Sequence, residues 1–473
     1  MTKSDSAGRY RILTAAKRLG EFLSRKDVDM TEGKIAPQLI TFAVPLLLGN
    51  ILQQLYNTVD TWVVGNYVSD SAFSAVGNVG PIINLLIGFF MGLSTGAGVV
   101  ISQYYGAKQE DKVSETVHTA VALTLILGAL FTAIGIIMVP TMLGFMRMPS
   151  ESIHGAASLY LTIYFSGMIS LTMYNMGSGI LRAVGDSLRP FYFLSVSALT
   201  NTALDLLFVL VFKMGVEGVA LATVLAQTLS AALILITLAR MDNCCRLSFK
   251  KLKIHFGMLG KILRVGIPAA LQMAITSFSN IFVQRYINYF GDACMGGWTA
   301  YSKIDTFLLL PMQSISLAST TFVGQNLGVN QVDRAKKGVR TAMLLSIGSM
   351  LILMAPVLIF AEPLVTFFND NPDIVTNGAL FLRLMSPFYV FCCVNQIYAG
   401  ALRGAGDSKA PMFIMVGCFV VFRQIYLYIV ANYLGNSMLA IVFGYPAGWL
   451  LCSLITFLYF RFSHWEKHRI VKA

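Results

Sequence analysis

Charged residues are scarce in this chain. Of its 473 residues only 12% are Asp, Glu, Lys or Arg, while 56% are apolar; soluble globular domains carry about 25% charged residues. This deficit excludes an ordinary soluble enzyme. A membrane-spanning helix needs about 20 apolar residues, and the apolar content is sufficient for roughly a dozen such helices. The composition therefore predicts a polytopic membrane protein.

Motifs for catalysis and for metal or cofactor binding are also missing. The seven cysteines form no Cys-x-x-Cys pair and have no histidine partner at zinc spacing. There is no Walker-type phosphate loop, so ATP-driven transport is unsupported. The sequence also has no serine nucleophile elbow and no HExxH motif. His464 and His468 have the spacing of a metal pair, but we interpret them as solvated residues of a basic tail. We expect no cofactor and no metal other than a coupling ion.

Apolar runs separated by polar clusters predict twelve transmembrane helices. They lie at about 35–64, 72–102, 117–146, 154–181, 191–212, 216–239, 262–290, 296–322, 339–368, 374–402, 411–433 and 438–460. All but six of the 35 Lys and Arg residues fall on one side of these helices, together with both termini. By the positive-inside rule both termini are cytoplasmic. This asymmetry explains most of the net charge of +12 without a nucleic-acid partner.

The chain contains an internal repeat. LRAVGDSLRP at 181–190 recurs as LRGAGDSKAP at 402–411, and ISQYYG at 101–106 recurs as VGQNLG at 323–328. Collinear repeats at a nearly constant offset indicate duplication of a six-helix unit. Because each unit has an even number of helices, the two units share one orientation and enclose a central cavity. The predicted division is a cytoplasmic segment 1–34 with an amphipathic helix at 12–22, a lobe 35–240, a basic linker 241–260, a lobe 261–460 and a cytoplasmic tail 461–473.

We interpret the repeated Leu-Arg-x-x-Gly-Asp-Ser segments as structural turns. The glycine permits the turn, and Asp186 and Asp407 cap the helices that follow. Arg182 and Arg403 are expected to anchor in the cytoplasmic headgroup layer.

Three carboxylates fall well inside predicted helices: Asp60, Asp205 and Asp305. Each would cost several kcal/mol facing lipid, so we expect each to face the protein interior or a cavity. Gln53, Asn57 and Asp60 share one face of helix 1, and Asn201 shares a face of helix 5 with Asp205. Carboxylates flanked by amide oxygens could hold Na⁺, or one of them could exchange a proton. The sequence leaves both open, together with a structural role for Asp205 and a helix-end position near the outer interface for Asp60.

The second half has its own intramembrane charges. Lys303 and Asp305 lie in YSKIDTF, with Arg285 in the preceding helix and Arg423 in helix 11. Two interpretations stay open for them. These charges could neutralise one another in salt bridges inside the bundle, or they could act directly in substrate access.

The whole pattern resembles the multidrug and toxic compound extrusion (MATE) family. The likeness runs from about 32 to 460 and rests on the twelve helices, the two lobes, PLLLGN and VDTWVVG in helix 1, both LRxxGD turns, and TFVGQNLG after helix 8. It implies a V-shaped, two-lobed antiporter. Such a protein exports organic, often cationic, amphipathic compounds in exchange for H⁺ or Na⁺.

The resemblance also assigns a cation site in the first lobe. Asp60 falls on the aspartate of the family's VDT motif in helix 1. Asn201 and Asp205, in NTALD, match its helix 5 site, and Thr223, in GVALATV, matches its helix 6 threonine.

The acids that NorM-type members carry in the second lobe are missing. Thr276 or a neighbour stands where that branch has a glutamate on helix 7, and Asn395 stands in place of an aspartate on helix 10. This resembles the DinF-like arrangement, in which coupling resides in the amino lobe. Asp305 could offer a substitute acid.

From these observations we expect a monomeric antiporter of the bacterial inner membrane, not an enzyme, that acts on small organic substrates. The expected cation-coupling residues are Asp60, Asn201, Asp205 and Thr223; the candidates for the substrate cavity are Gln53, Asn57, Lys303, Asp305 and Asn395. The alternative is a flippase for lipids or lipid-linked saccharides, which twelve helices and sparse internal Lys and Arg disfavour. A membrane-embedded enzyme such as an acyltransferase is less consistent still, because no histidine has an HxxxD partner.

Overall fold

A computed structural model describes residues 29–146 and 151–471. Over these residues the chain is helical and contains no strand, which confirms the predicted all-α fold. The expected amphipathic helix at 12–22 and most of the segment 1–34 lie outside the described residues.

Seven helices build the described part of the amino-terminal half. They are α1 (Ile35–Tyr67), α2 (Asp70–Gly106), α3 (Glu110–Met146), α4 (Glu151–Ser166), α5 (Met168–Ala183), α6 (Leu188–Leu206) and α7 (Val216–Arg240). A π-helical turn at Leu207–Val211 continues α6. With α4 and α5 counted as one bent span, this half has six helices of membrane-spanning length and hydropathy.

Ten helices build the described carboxy-terminal half. They are α8 (Phe256–Asn288), α9 (Asp292–Gly328), α10 (Val332–Ile359), α11 (Ala361–Thr366), α12 (Pro372–Met385), α13 (Tyr389–Gly404), α14 (Lys409–Val416), α15 (Arg423–Tyr433), α16 (Met438–Val442) and α17 (Gly444–Phe462). A 3₁₀ turn joins α12 to α13, and a π-helical turn joins α14 to α15. Several of these helices combine into longer ones, so this half has six helices long and apolar enough to span a membrane. The described residues contain eleven such helices, or twelve with the bent pair counted as one.

The single helix expected at 154–181 is instead two helices. α4 and α5 meet at an angle of 49° at Gly167. A Cβ added at Gly167 would lie 2.6 Å from the Val224 side chain of α7, so the bend depends on a residue without a side chain. Hydropathy does not register this bend because the sequence is apolar on both sides of it.

One face of the molecule holds both described chain ends and is called the terminal face below. It comprises residues 29–34, the turns 184–187 and 405–408, the linker 241–255 and the tail 463–471. The α2–α3 connection (107–109) and the α9–α10 connection (329–331) also lie there, because Gly328 packs on Ala107 and Arg469 of the tail contacts Asn330.

The repeated turns form as the sequence predicts. The glycine in each has φ of 95°, the left-handed conformation that glycine adopts without strain. Asp186 Oδ1 accepts a hydrogen bond from Arg189 N (3.0 Å), and Asp407 Oδ1 accepts one from Ala410 N (3.2 Å). The expectation for Arg403 is wrong, because this side chain is buried and only 8% exposed, not anchored in a headgroup layer.

Small residues bring α2 of the amino lobe and α8 of the carboxy lobe into close contact. A Cβ added at Gly92 would lie 2.3 Å from Ala270 N, and one at Gly96 would lie 2.6 Å from Gly266 Cα. Near the start of α2, a Cβ at Gly77 would meet no described atom within 4 Å. Close approach through small residues is usual between membrane helices. The two lobes are therefore joined from the middle of α2 toward the terminal face.

We predict that Gly92→Ala destabilises the protein, because the added methyl group would collide with the backbone of Ala270. Overpacking of this kind costs about 1–3 kcal/mol, and thermal unfolding in detergent would show a lower midpoint. Gly348→Ala is the matched control, since a Cβ there meets no described atom within 4 Å. An unchanged midpoint for Gly92→Ala would contradict the close contact between α2 and α8.

Candidate functional site

Two acidic side chains meet inside the amino lobe. Asp60 comes from α1 and Asp205 from α6, and their carboxyl groups lie within hydrogen-bonding reach of each other. Asp205 is completely buried, and Asn201, one turn before it, is 2% exposed. Asp60 lies about two turns before the end of α1. The structure thus brings together the acids that the sequence placed on separate helices, and the helix-end alternative for Asp60 is wrong.

The acid pair has buried oxygen atoms without hydrogen-bond donors. No described N–H or O–H group reaches Oδ1 of Asp60 or either carboxyl oxygen of Asp205, and the Asn201 carboxamide is likewise unpartnered among the described residues. Two ionised carboxylates can only accept hydrogen bonds, so neither satisfies the other. Leaving such groups buried and unpaired costs several kcal/mol. A proton shared between the acids, or a bound cation, would supply what is missing.

The hydroxyl group of Thr223 makes a hydrogen bond within its own helix. This residue lies on α7 and is 9% exposed, and its hydroxyl group donates to the Val219 carbonyl of its own helix (3.0 Å). Its lone pairs stay available to a cation, while its proton is already used.

Three tyrosines surround the acid pair, and the sequence reasoning missed them. Tyr56, Tyr160 and Tyr164 lie close enough to Asp60 for electrostatic interaction, and Tyr160 also to Asp205. One signal was available in the sequence, because Tyr56 precedes Asp60 by four residues and so shares its helix face. The site is therefore an acid pair with three tyrosine side chains near it.

The polar residues of α1 do not all point to the acid pair. Gln53 contacts Tyr56, and Asn57 is exposed. Asn50, earlier on the same face, donates from Nδ2 to Ser314 Oγ of the carboxy lobe (3.3 Å). This face of α1 therefore meets the carboxy lobe at Asn50 and the acid pair of the amino lobe at Asp60.

Asp305 is paired with tyrosines, not with basic residues. Tyr301 donates to its Oδ1 (3.3 Å), and Tyr389 donates to the same oxygen. The two hydroxyl oxygens also lie 3.2 Å apart. Tyr301 again precedes its acid by four residues, as Tyr56 precedes Asp60.

The salt-bridge interpretation of the second half is therefore wrong for the described residues. Lys303 is exposed and has no ion pair within the described ranges. Arg423 donates to Ser279 Oγ (3.0 Å) and Asn280 Oδ1 (2.8 Å), and its guanidinium lies over the Tyr445 ring at 4.6 Å.

The remaining candidate, Asn395, is 1% exposed on α13, and its Nδ2 has no partner among the described residues. The structure does not gather the five candidates for the substrate cavity into one site. Gln53 and Asn57 lie on α1, where Gln53 is half-buried and Asn57 exposed; Lys303 is at the surface, and Asp305 and Asn395 lie inside the carboxy lobe.

Up to twelve candidate membrane-spanning helices in the described residues, two repeated lobes, and an acid pair whose buried oxygens lack donors inside one lobe are the features of a polytopic membrane transport protein. Comparison with known families agrees with this class: the MatE family profile matches the chain twice, at residues 45–207 and 268–429. The chain belongs to the MatE family, the MATE multidrug efflux transporters. The two matches fall on the two halves of the repeat.

Individual relatives cover nearly the whole chain. The "Probable multidrug resistance protein YoeA" of Bacillus subtilis (strain 168) is 29% identical over 91% of this chain and 94% of its own length. The "Probable multidrug resistance protein YpnP" of the same organism is 28% identical over 94% and 99%. A solved outward-facing conformation of a multidrug resistance MATE family transporter has a TM-score of 0.86 at 22% identity, over 92% of this chain and 97% of that one. The likeness to this structure supports the same fold.

We predict that Tyr389→Phe lowers the stability of the carboxy lobe. It removes a buried O–H donor from Asp305 and leaves only the longer bond from Tyr301. An under-satisfied buried acceptor costs about 1–3 kcal/mol, which a chemical or thermal unfolding curve in detergent would detect. Tyr433→Phe, at a position 72% exposed, is the control. Equal stability of the two variants would show that the Tyr389 bond contributes nothing.

Proposed function

We propose that this protein is a secondary antiporter that exports small organic, cationic amphipathic compounds in exchange for H⁺ or Na⁺ by alternating access. It acts as a monomer in the bacterial inner membrane, with the terminal face toward the cytoplasm, as the positive-inside rule requires. One observation carries the proposal: the Asp60–Asp205 pair, whose buried oxygens lack donors among the described residues.

The repulsion between two ionised carboxylates is large enough for a coupling ion to shift a conformational equilibrium. Two unit charges 4 Å apart interact by about 4 kcal/mol at an effective dielectric constant of 20. A proton on one carboxylate, or Na⁺ between them, removes this repulsion. Since 1.4 kcal/mol corresponds to a factor of about ten, such a change shifts a two-state equilibrium by about a thousandfold. Cation occupancy can therefore decide whether α1 stays packed against α6.

The helix that carries Asp205 is irregular just beyond this residue. The π-helical turn at Leu207–Val211 begins two residues after Asp205. Such turns interrupt the regular α-helical hydrogen bonding and are frequent at functional sites. In this proposal, cation binding and release move α1 relative to α6, and Gln53 and Asn57 move with α1. Substrate then leaves on the side opposite the terminal face.

The substrate class is supported by the relatives. Two relatives that cover most of the chain are named as probable multidrug resistance proteins. We propose that Gln53 and Asn57 contact substrate from the amino lobe, and that Lys303, Asp305 and Asn395 influence its access from the carboxy lobe. Coupling resides in the amino lobe, in the DinF-like manner.

Asp205→Asn is expected to abolish gradient-driven efflux, with at least a tenfold loss of rate, because it removes the charge that the coupling ion must neutralise. The measurement is dye efflux from proteoliposomes with H⁺ and Na⁺ gradients imposed one at a time, which also identifies the ion. Asp292→Asn, at an exposed acid at the start of α9, is the control and should transport normally. Efflux by Asp205→Asn at the control rate would remove the acid pair from the coupling mechanism.

Asp305→Asn tests which lobe couples. If coupling resides at Asp60 and Asp205, this variant should keep its dependence on the ion gradient and change efflux by less than threefold, since Tyr301 and Tyr389 can still donate to the amide oxygen. The same proteoliposome assay applies. Loss of gradient dependence in Asp305→Asn, with Asp205→Asn unaffected, would transfer coupling to the carboxy lobe.

A further inference from the structure

Each described chain end packs on the lobe to which it does not belong. Residues 29–34 lead into α1 of the amino lobe, yet Met30 is fully buried beside Phe322 of the carboxy lobe. The Met30 carbonyl accepts hydrogen bonds from Asn326 Nδ2 (2.9 Å) and Arg334 Nε (3.3 Å). The segment ahead of the amino lobe is thus fixed to the carboxy lobe.

The tail after α17 crosses in the opposite direction. Trp465 stacks on Phe460 of α17, with ring centroids 4.7 Å apart, and so stays with the carboxy lobe. The chain then passes to the amino lobe, where Val471 is buried in the same apolar cluster as Leu181. The tail therefore connects the two lobes across the terminal face.

A buried glutamine receives the tail. Gln103, near the end of α2, is completely buried. Its Oε1 accepts a hydrogen bond from Ile470 N (2.7 Å), and its Nε2 donates to the Gly404 carbonyl at the end of α13 (2.9 Å). Both partners belong to the carboxy-terminal half.

The residue equivalent to Gln103 in the second repeat makes the corresponding hydrogen bonds in the opposite direction, from the carboxy lobe to the amino-terminal half. Gln325, near the end of α9, is also completely buried. Its Oε1 accepts from Met30 N (3.2 Å), and its Nε2 donates to the Ala183 carbonyl at the end of α5 (2.9 Å). Each carboxamide thus joins its own lobe to a helix end and a chain end of the other lobe.

We propose that Gln103, Gln325 and the crossed chain ends form an inter-lobe clamp, which keeps the terminal face closed and opens once in each transport cycle. The four bonds all cross between the two halves, so they are released together when the lobes part. Separation of the lobes also exposes the apolar side chains of Met30 and Val471. We therefore expect the clamp to open in a single step. The clamp rests on the proposed alternating access, but the opening itself is measurable without transport.

The experiment measures the distance between the lobes at the terminal face. Spin labels are placed at Asp111→Cys of α3 and Asp333→Cys of α10, both exposed, in full-length protein in lipid nanodiscs. Cys244→Ser serves as background, because the other six cysteines are buried. Pulsed dipolar spectroscopy then gives the distance distribution for each variant.

Three variants test the clamp. Gln103→Met removes one carboxamide while keeping the size of the side chain. Ile470→Pro removes the nearer of the two tail N–H groups that donate to Gln103 and leaves the longer bond from Val471 N (3.4 Å). Gln109→Met, at an exposed position just beyond α2, is the matched control. We expect at least a fivefold rise in the population with the longer distance for Gln103→Met, a smaller rise for Ile470→Pro, and the parental distribution for Gln109→Met.

Unchanged distributions in both clamp variants would overturn the proposal. If Gln103→Met does not fold, Ile470→Pro decides alone, because it lies beyond the last helix. A rise in the control equal to that in the clamp variants also overturns it. The proposed antiport has a separate outcome: if distances shift as expected but no variant or parent shows gradient-driven efflux, the clamp stands and the antiport proposal fails.

Discussion

Inside a bilayer, a buried polar side chain can find a hydrogen-bond partner only within the protein. This constraint separates the intramembrane acids of the molecule into two kinds. Asp305 accepts hydrogen bonds from two tyrosine hydroxyl groups, so it has partners within the protein. Asp60 and Asp205 have buried oxygens that no described donor satisfies. A small cation would relieve the second arrangement and not the first, which is why we propose the incomplete pair as the coupling site.

Much of the fold follows from short stretches of sequence. A run of about 20 apolar residues predicts a spanning helix whatever its neighbours are, and the repeated turns carry their own glycine and aspartate. Features that depend on how helices pack against one another could not be predicted from the sequence. The bend at Gly167 depends on Val224 of another helix, and the burial of Arg403 depends on the packing of the carboxy lobe.

The candidate site divides in the same way. Helical spacing and the family resemblance predicted that Asp60 and Asp205 belong to one site, and the structure brings these two side chains together. Partners from distant helices were missed. Tyr389 is 84 residues from Asp305, and no periodicity indicates that they meet; Tyr160 and Tyr164 approach Asp60 only through packing of α4 against its neighbours. The Tyr-x-x-x-Asp spacing, present in both lobes, was the one local sign of aromatic partners.

The bonds of Gln103 and Gln325 follow the internal repeat only in part. Their bonds to Gly404 and Ala183 join equivalent positions of the two halves, as a two-fold related pair of contacts would. The donors to their Oε1 atoms are not equivalent. Gln325 accepts from the N–H of Met30, which precedes α1, whereas Gln103 accepts from the tail beyond α17. A symmetric joint between helix ends is therefore completed by two unrelated segments of chain, so the joint itself distinguishes the two lobes.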